Sequence, residues 1–204
     1  MAGRSAKTSA QQWIEAAKAA LIADGVAGVR VDRLATALGV TRGGFYHNFR
    51  TRDDLLKALL DLWEAQCRMT PEQPPAPGPD GAKAWLDDFV DRLIEERGYD
   101  HAFDMAVRDW ARSDPRAAWA IERADRARVK AMRQFFLQLG YEESEAELRG
   151  RVLYYHQIGY YALTVRESRA ARRRNAPVYL RILFGEDWQE RAGRSTDGQA
   201  GPSK

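Results

Sequence analysis

Cysteine is almost missing from this chain: Cys67 is the only one in 204 residues. That excludes an internal disulfide framework and any multi-cysteine metal site. Histidine is scarce as well. His47, His101 and His156 have no metal-ligand spacing to one another or to Cys67. No G-x-S-x-G, Walker loop or G-x-G-x-x-G occurs, so the common nucleophile and phosphate-cradle motifs are absent. No apolar run is long enough to span a bilayer, and the N-terminus has no signal-peptide core. No useful segment alternates apolar with polar, so essentially no sheet is expected. There is no internal repeat. These absences leave a soluble, cytoplasmic, all-α protein without membrane contact, metal or cofactor as the expectation.

What is present fits one protein of modest size with its own core. Hydrophobic residues make up 45% of the chain, enough for a real core. The net charge is only +3, but it is uneven. Residues 1–57 hold nine Lys/Arg against five acids, a surplus of +4 that leaves −1 for the remainder. A basic N-terminal part on a near-neutral body suits a polyanion partner.

The stretch VDRLATALGVTRGGFYHNFRTRDDLL, Val31 to Leu56, carries the functional signal. Val31, Leu34, Ala35 and Leu38 form one face of a short helix. Gly39 ends it, because the left-handed residue after a helix favours glycine. Thr41 is an N-cap for a second short helix over 42–49. Two short helices joined by a tight Gly turn make a helix-turn-helix, whose second helix is built for the major groove. Phe45 and Phe49 point inward together. Gly43 and Gly44 strip bulk from the helix start, so backbone can approach DNA closely. Thr41, Arg42, Tyr46, His47 and Asn48 remain outward, all able to donate hydrogen bonds and none acidic. The bland alternative is a helical hairpin with a solvated face. It leaves the two glycines unexplained, at about 1 kcal/mol each.

On these residues the segment resembles the DNA-binding domain of the TetR family of bacterial transcriptional regulators. The matching positions are Val31, Leu34, Ala35, Leu38, Gly39, Val40, Thr41, Gly43, Phe45, Tyr46, Phe49, Thr51, Arg52 and Leu55. Ile14, Ala17, Leu21 and Gly25-Val26 fit the preceding helix, so the resemblance covers about residues 9–60. One position departs. The family places Ser or Thr just before the Val that opens the second helix, and this chain has Arg30. The resemblance implies a DNA face of Arg30, Thr41, Arg42, Gly43, Tyr46, His47 and Arg52. Arg42 is the base reader, since Arg suits the guanine O6/N7 pair. Arg30, Tyr46, His47 and Arg52 hold phosphates or a thymine methyl and fix register.

The remainder reads as helices. Ser9-x-x-Gln12 and Thr51-x-x-Asp54 are capping boxes that open the first and fourth. The fourth runs to about Cys67. The segment 70–81 carries five Pro and two Gly and is a loop. Helices follow over about 82–96, 100–112 and 115–139, the last opened by Asp114-Pro115. Ser144-x-x-Glu147 is a third box, opening an eighth helix over 144–169, and Pro177 begins a ninth, 177–184. The division expected is 1–55 for DNA binding, 56–190 for ligand binding and dimerisation, and a disordered tail over 191–204. Residues 1–8 read as a flexible arm.

The eighth helix is apolar around most of its circumference from Leu153 to Leu163. It must bury more than one face, either within a monomeric core or against a partner. The resemblance favours a homodimer through helices 144–169 and 177–184. It also implies a pocket between helices four to eight for a small, largely apolar effector. Wall candidates are Trp85, Phe89, Trp110 and Tyr155, with His156 and Arg108 as polar anchors. Against this, aromatics at helical spacing commonly form plain core, and Asp104–Arg108 fits a solvated i,i+4 pair. The run RESRAARRR, Arg166 to Arg174, reads as decoration of a helix C-terminus and loop rather than a second nucleic-acid patch. The functional expectation is a ligand-responsive repressor binding a pseudo-palindromic double-stranded operator. The alternative is a small all-helical ligand-binding protein or enzyme that does not regulate DNA.

Overall fold

Local capping signals set most helix boundaries in the computed structural model, which describes residues 8–185. The described residues form nine α-helices and no strand. They are α1 (Ala10–Asp24), α2 (Val31–Ala37), α3 (Arg42–Tyr46), α4 (Arg52–Gln66), α5 (Pro79–Glu95), α6 (His101–Trp110), α7 (Pro115–Gln138), α8 (Glu143–Ala162) and α9 (Arg169–Phe184). The Ser9 and Thr51 boxes are both closed, each side chain accepting from the third helical N–H while Gln12 or Asp54 reaches back. Asp114 opens α7 by accepting from the Arg116 N–H at 2.9 Å. The expected arm over 1–8, apart from residue 8, and the expected tail from 191 lie outside the described residues.

Three boundaries differ from the sequence expectation. Helix α5 starts at Pro79, inside the Pro-rich segment, because Pro at a first helical position needs no N–H partner. Helix α8 starts after Glu142, not Ser144. The Glu147 carboxylate that would close the expected box is taken by Arg133 at 3.5 Å and Arg151 at 2.8 Å. It ends at Ala162, with Thr164 left-handed at φ 50°, well short of 169. Helix α9 starts at Arg169, capped by Ser168, and runs through Pro177 instead of beginning there. An interior Pro removes one backbone bond. The two turns before it are anchored to α5: Arg173 reaches Asp91 at 3.5 Å and Glu95 at 2.5 Å, and Arg172 reaches Glu96 at 2.9 Å. So the basic run forms the start of α9 and pairs with acids; it does not decorate a helix end.

The chain forms two compact units. Among the described residues, the first holds residues 8–67 together with Asp100–Glu122; the second holds Arg68–Tyr99 and residues 123–185. Compactness therefore divides the chain elsewhere than residue 55. In the first unit Trp13, Leu21, Phe45, Leu59, Trp63, Phe103 and Trp110 are buried. Polar bonds tie α6 into it. The Lys18 ammonium meets Asp100 at 2.7 Å and Gln66 at 2.6 Å. The Trp63 indole N–H donates to Asp104 at 3.0 Å, and Arg108 Nε donates to the same carboxylate at 2.8 Å. Asp104 is fully buried, so the Asp104–Arg108 pair is not the solvated pair its spacing suggests. The second unit is built on an aromatic cluster of Trp85, Phe89, Phe135, Phe136, Tyr141 and Phe184, all buried.

Candidate nucleic-acid interface and cavity

The helix-turn-helix is held from behind by rings. Phe45 meets Trp13 edge-on at 5.3 Å and stacks on Phe49 at 5.5 Å. Gly39 turns the chain at φ 65°. The second helix is shorter than 42–49: α3 ends at Tyr46, and Phe49 follows in a turn closed by its N–H on the Phe45 carbonyl. Asn48 is not an outward donor. Its amide bonds the carbonyls of Thr8 and Gly44, both at 3.1 Å, and so ties the chain ahead of α1 to α3.

Thr41, Arg42, Gly43, Tyr46 and His47, on α3 and its two caps, are all exposed. Thr41 occupies the N-cap position with extended backbone, yet its side chain makes no capping bond. The fold itself does not require glycine at 43 or 44. A Cβ would meet nothing closer than 3.6 Å at Gly43 and 3.9 Å at Gly44, and neither has positive φ. Their lack of side chain leaves backbone open to an approaching partner.

The basic side chains around α3 fall into two kinds. Arg42 and Arg50 are exposed and have no hydrogen-bond or ion-pair partner among the described residues. Arg50 was not among the expected contacts. Its signal was present: it stands between inward Phe49 and the Thr51 cap, where a side chain must point out. Arg30 and Arg52 are engaged. Arg30 grips Asp32 through Nε at 3.2 Å and Nη2 at 2.9 Å, and that bond holds the Asp32 carboxyl below its usual range. It makes no capping bond to α2. Arg52 donates through Nε to the Val29 carbonyl at 2.6 Å and through Nη2 to the Val26 carbonyl at 2.7 Å. Its guanidinium thus clamps the turn before α2.

In the second unit a cavity of about 100 Å³ opens between α5, α8 and α9. Phe89 and His156, two of the expected ligand residues, line it. Trp85 lies behind that wall, stacked on Phe89 at 5.4 Å and on Phe135 at 5.3 Å. Tyr155 points away and is 62% exposed. Arg108 and Trp110 belong to α6 of the first unit, where Trp110 is buried and donates to Asp114 at 3.2 Å. The six are therefore not gathered in one place. Burial pushes the His156 imidazole below its ordinary pKa.

Helices α8 and α9 also present an exposed apolar stripe. Leu148, Val152, Tyr155 and Leu163 repeat along one face of α8, with Gly159 in line and nothing within 4 Å of its absent Cβ. Val178 and Ile182 lie one turn apart on α9, with Ile182 71% exposed.

An all-helical chain with a ring-backed helix-turn-helix and a donor-rich second helix has the build of a DNA-binding protein. Residues 14–59 match the model of the bacterial regulatory proteins of the tetR family. That match covers the helix-turn-helix and the helices that flank it, under half of the chain. A transcriptional regulator from Rhodococcus sp. Rha1 shares the fold, with 20% identity over 91% of this chain and 95% of that one, at a TM-score of 0.56. BioQ, solved with its double-stranded DNA operator, matches at 18% identity over 92% of this chain and 99% of its own, with a TM-score of 0.47. The Streptomyces coelicolor TetR family protein ActR, solved with (S)-DNPA, matches at 17% identity over 78% and 72%, with a TM-score of 0.36. No curated protein matches the chain. None of the helices, among the described residues, is long and apolar enough to cross a membrane.

Proposed function

We propose that this regulator is a repressor that binds a pseudo-palindromic operator as a homodimer and releases it when a small, largely apolar ligand binds. The observation that carries the DNA reading is the outward face of α3. Arg42, Tyr46, His47 and neighbouring Arg50 are exposed, and the two arginines are uncommitted. In this reading residues 1–55 contact DNA and 56–190 hold the ligand and the dimer seam.

The apolar stripe on α8 and α9 supports the dimer. Two recognition helices must reach successive major grooves about 34 Å apart, which one copy does not do. Apolar side chains repeating over two adjacent helices suit a self-complementary two-fold contact. The cavity supports the ligand response, because a ligand shifts an equilibrium only by its differential affinity for two states, typically about 1–3 kcal/mol.

The test is a mobility shift on the DNA flanking the protein's own gene, with a transcript measurement in a strain lacking the protein. A specific shift and a rise in the flanking transcripts are expected. Absence of any specific site in that DNA and genome-wide would refute the operator. A fall in transcripts would refute repression.

A further inference from the structure

We infer that Arg50 anchors the end of α3 to a DNA phosphate, the role that the family resemblance gives to Arg52. The inference rests on the DNA-binding reading and deepens it at the same site.

Charge balance separates the basic side chains. Residues 8–67 hold seven Lys/Arg. Four of them face a carboxylate. Lys18 meets Asp100 at 2.7 Å, Arg30 meets Asp32 at 2.9 Å, Arg33 meets Asp24 at 3.1 Å and Lys57 meets Asp61 at 2.9 Å. A paired cation adds little net charge for a polyanion to find. Arg52 is half-buried, and its Nε and Nη2 are aimed at the carbonyls of Val29 and Val26. Turning that guanidinium to a phosphate would break both bonds and release the turn they hold. Arg42 and Arg50 remain, exposed and without a hydrogen-bond or ion-pair partner among the described residues.

The acids next to Arg50 in the chain are taken as well. Asp54 accepts from the Thr51 N–H at 3.0 Å, and Asp53 faces Arg116 at 3.5 Å. The charge on Arg50 is therefore left for a partner outside the chain.

Position assigns that partner. A recognition helix enters the major groove by its N-terminal residues. Arg42 stands at that end of α3. Arg50 stands four residues beyond Tyr46, the last residue of α3, where the chain climbs out of the groove past its phosphate wall. The backbone on both sides of Arg50 is fixed. Phe49 is buried and stacked on Phe45 at 5.5 Å, and Thr51 closes the capping box of α4. A side chain on so firm a base gives up little freedom when it binds. A guanidinium also matches two phosphate oxygens at once.

The experiment measures binding of the full chain to a fluorescent duplex of mixed sequence by anisotropy, from about 50 to 200 mM salt. The slope of log affinity against log salt is the readout. Arg50→Gln should reduce its magnitude by about 0.9, the share of one phosphate contact. Arg50→Lys should restore most of that loss, with thermal unfolding as the check that both variants fold. Arg52→Gln should melt lower, yet keep the wild-type slope at a temperature where it is folded. A wild-type slope in Arg50→Gln would overturn the inference while leaving the DNA-binding reading intact. A loss of equal size in folded Arg52→Gln would overturn it too. A wild-type protein that binds no duplex across this range would refute the DNA-binding reading, and the inference with it.

Discussion

Arg42 and Arg52 lie ten positions apart, and the sequence pattern assigns both to DNA. Their surroundings separate them. Arg52 spends two guanidinium N–H groups on the carbonyls of Val26 and Val29. Bonds to a charged group contribute about 1.5–3 kcal/mol. Arg52→Ala should therefore lower the unfolding free energy by about 2 kcal/mol, read from urea denaturation. Arg42 has no such bonds. Arg42→Ala should leave the unfolding curve in place, weaken operator binding by about 1–3 kcal/mol and relax its sequence preference. Normal operator affinity for that variant at physiological salt would remove Arg42 as a base reader. The inward–outward pattern of α3 was legible from residue spacing alone. The Arg52 clamp was not, because its partners lie 23 and 26 positions back and are backbone atoms, which carry no residue identity.

Among elements, the legible boundaries are those where side-chain chemistry closes a local ring: Ser9, Thr51 and Asp114. The α8–α9 region differs from its local signals because two of them lost to ion pairs with other residues. Glu147 is drawn to Arg133 and Arg151, and the arginines of α9 are drawn to the acids of α5. Asp114 offers a direct test of one cap. The Arg116 side chain beside it, helped by the Arg116 and Trp110 N–H groups, holds its carboxyl down to about 2, from an ordinary 3.8. A depressed folded-state pKa adds stability above the unfolded value and loses it as pH falls through the folded one. Melting temperature should drop between pH 4 and 2 on this account. Asp114→Asn should melt lower at neutral pH and show a flatter decline across that window. A second element-level test concerns the α7–α8 contact. A Cβ at Gly150 would stand 2.9 Å from the Arg133 backbone nitrogen and 3.2 Å from its Cα. Gly150→Ala should destabilise by about 1–3 kcal/mol despite its better helix propensity, measured by denaturant unfolding.

At the scale of the molecule, the proposed dimer depends on Val152 and Ile182, both exposed in one copy. Val152→Asp with Ile182→Asp should sediment as a monomer at micromolar concentration, keep its helical circular dichroism and lose the operator. A wild-type protein that sediments as a stable monomer would end the two-groove geometry. The composition of the first compact unit bears on a different matter, the modularity of the chain. The helix-turn-helix is not packed as a detachable N-terminal cassette. A fragment cut at Cys67 would strand the Trp63 indole without Asp104 and Lys18 without Asp100, with Phe103 and Trp110 gone from the core. Transplanting this DNA specificity onto another regulator would thus mean moving two discontinuous stretches, the first helices and Asp100–Glu122, as one inherited piece.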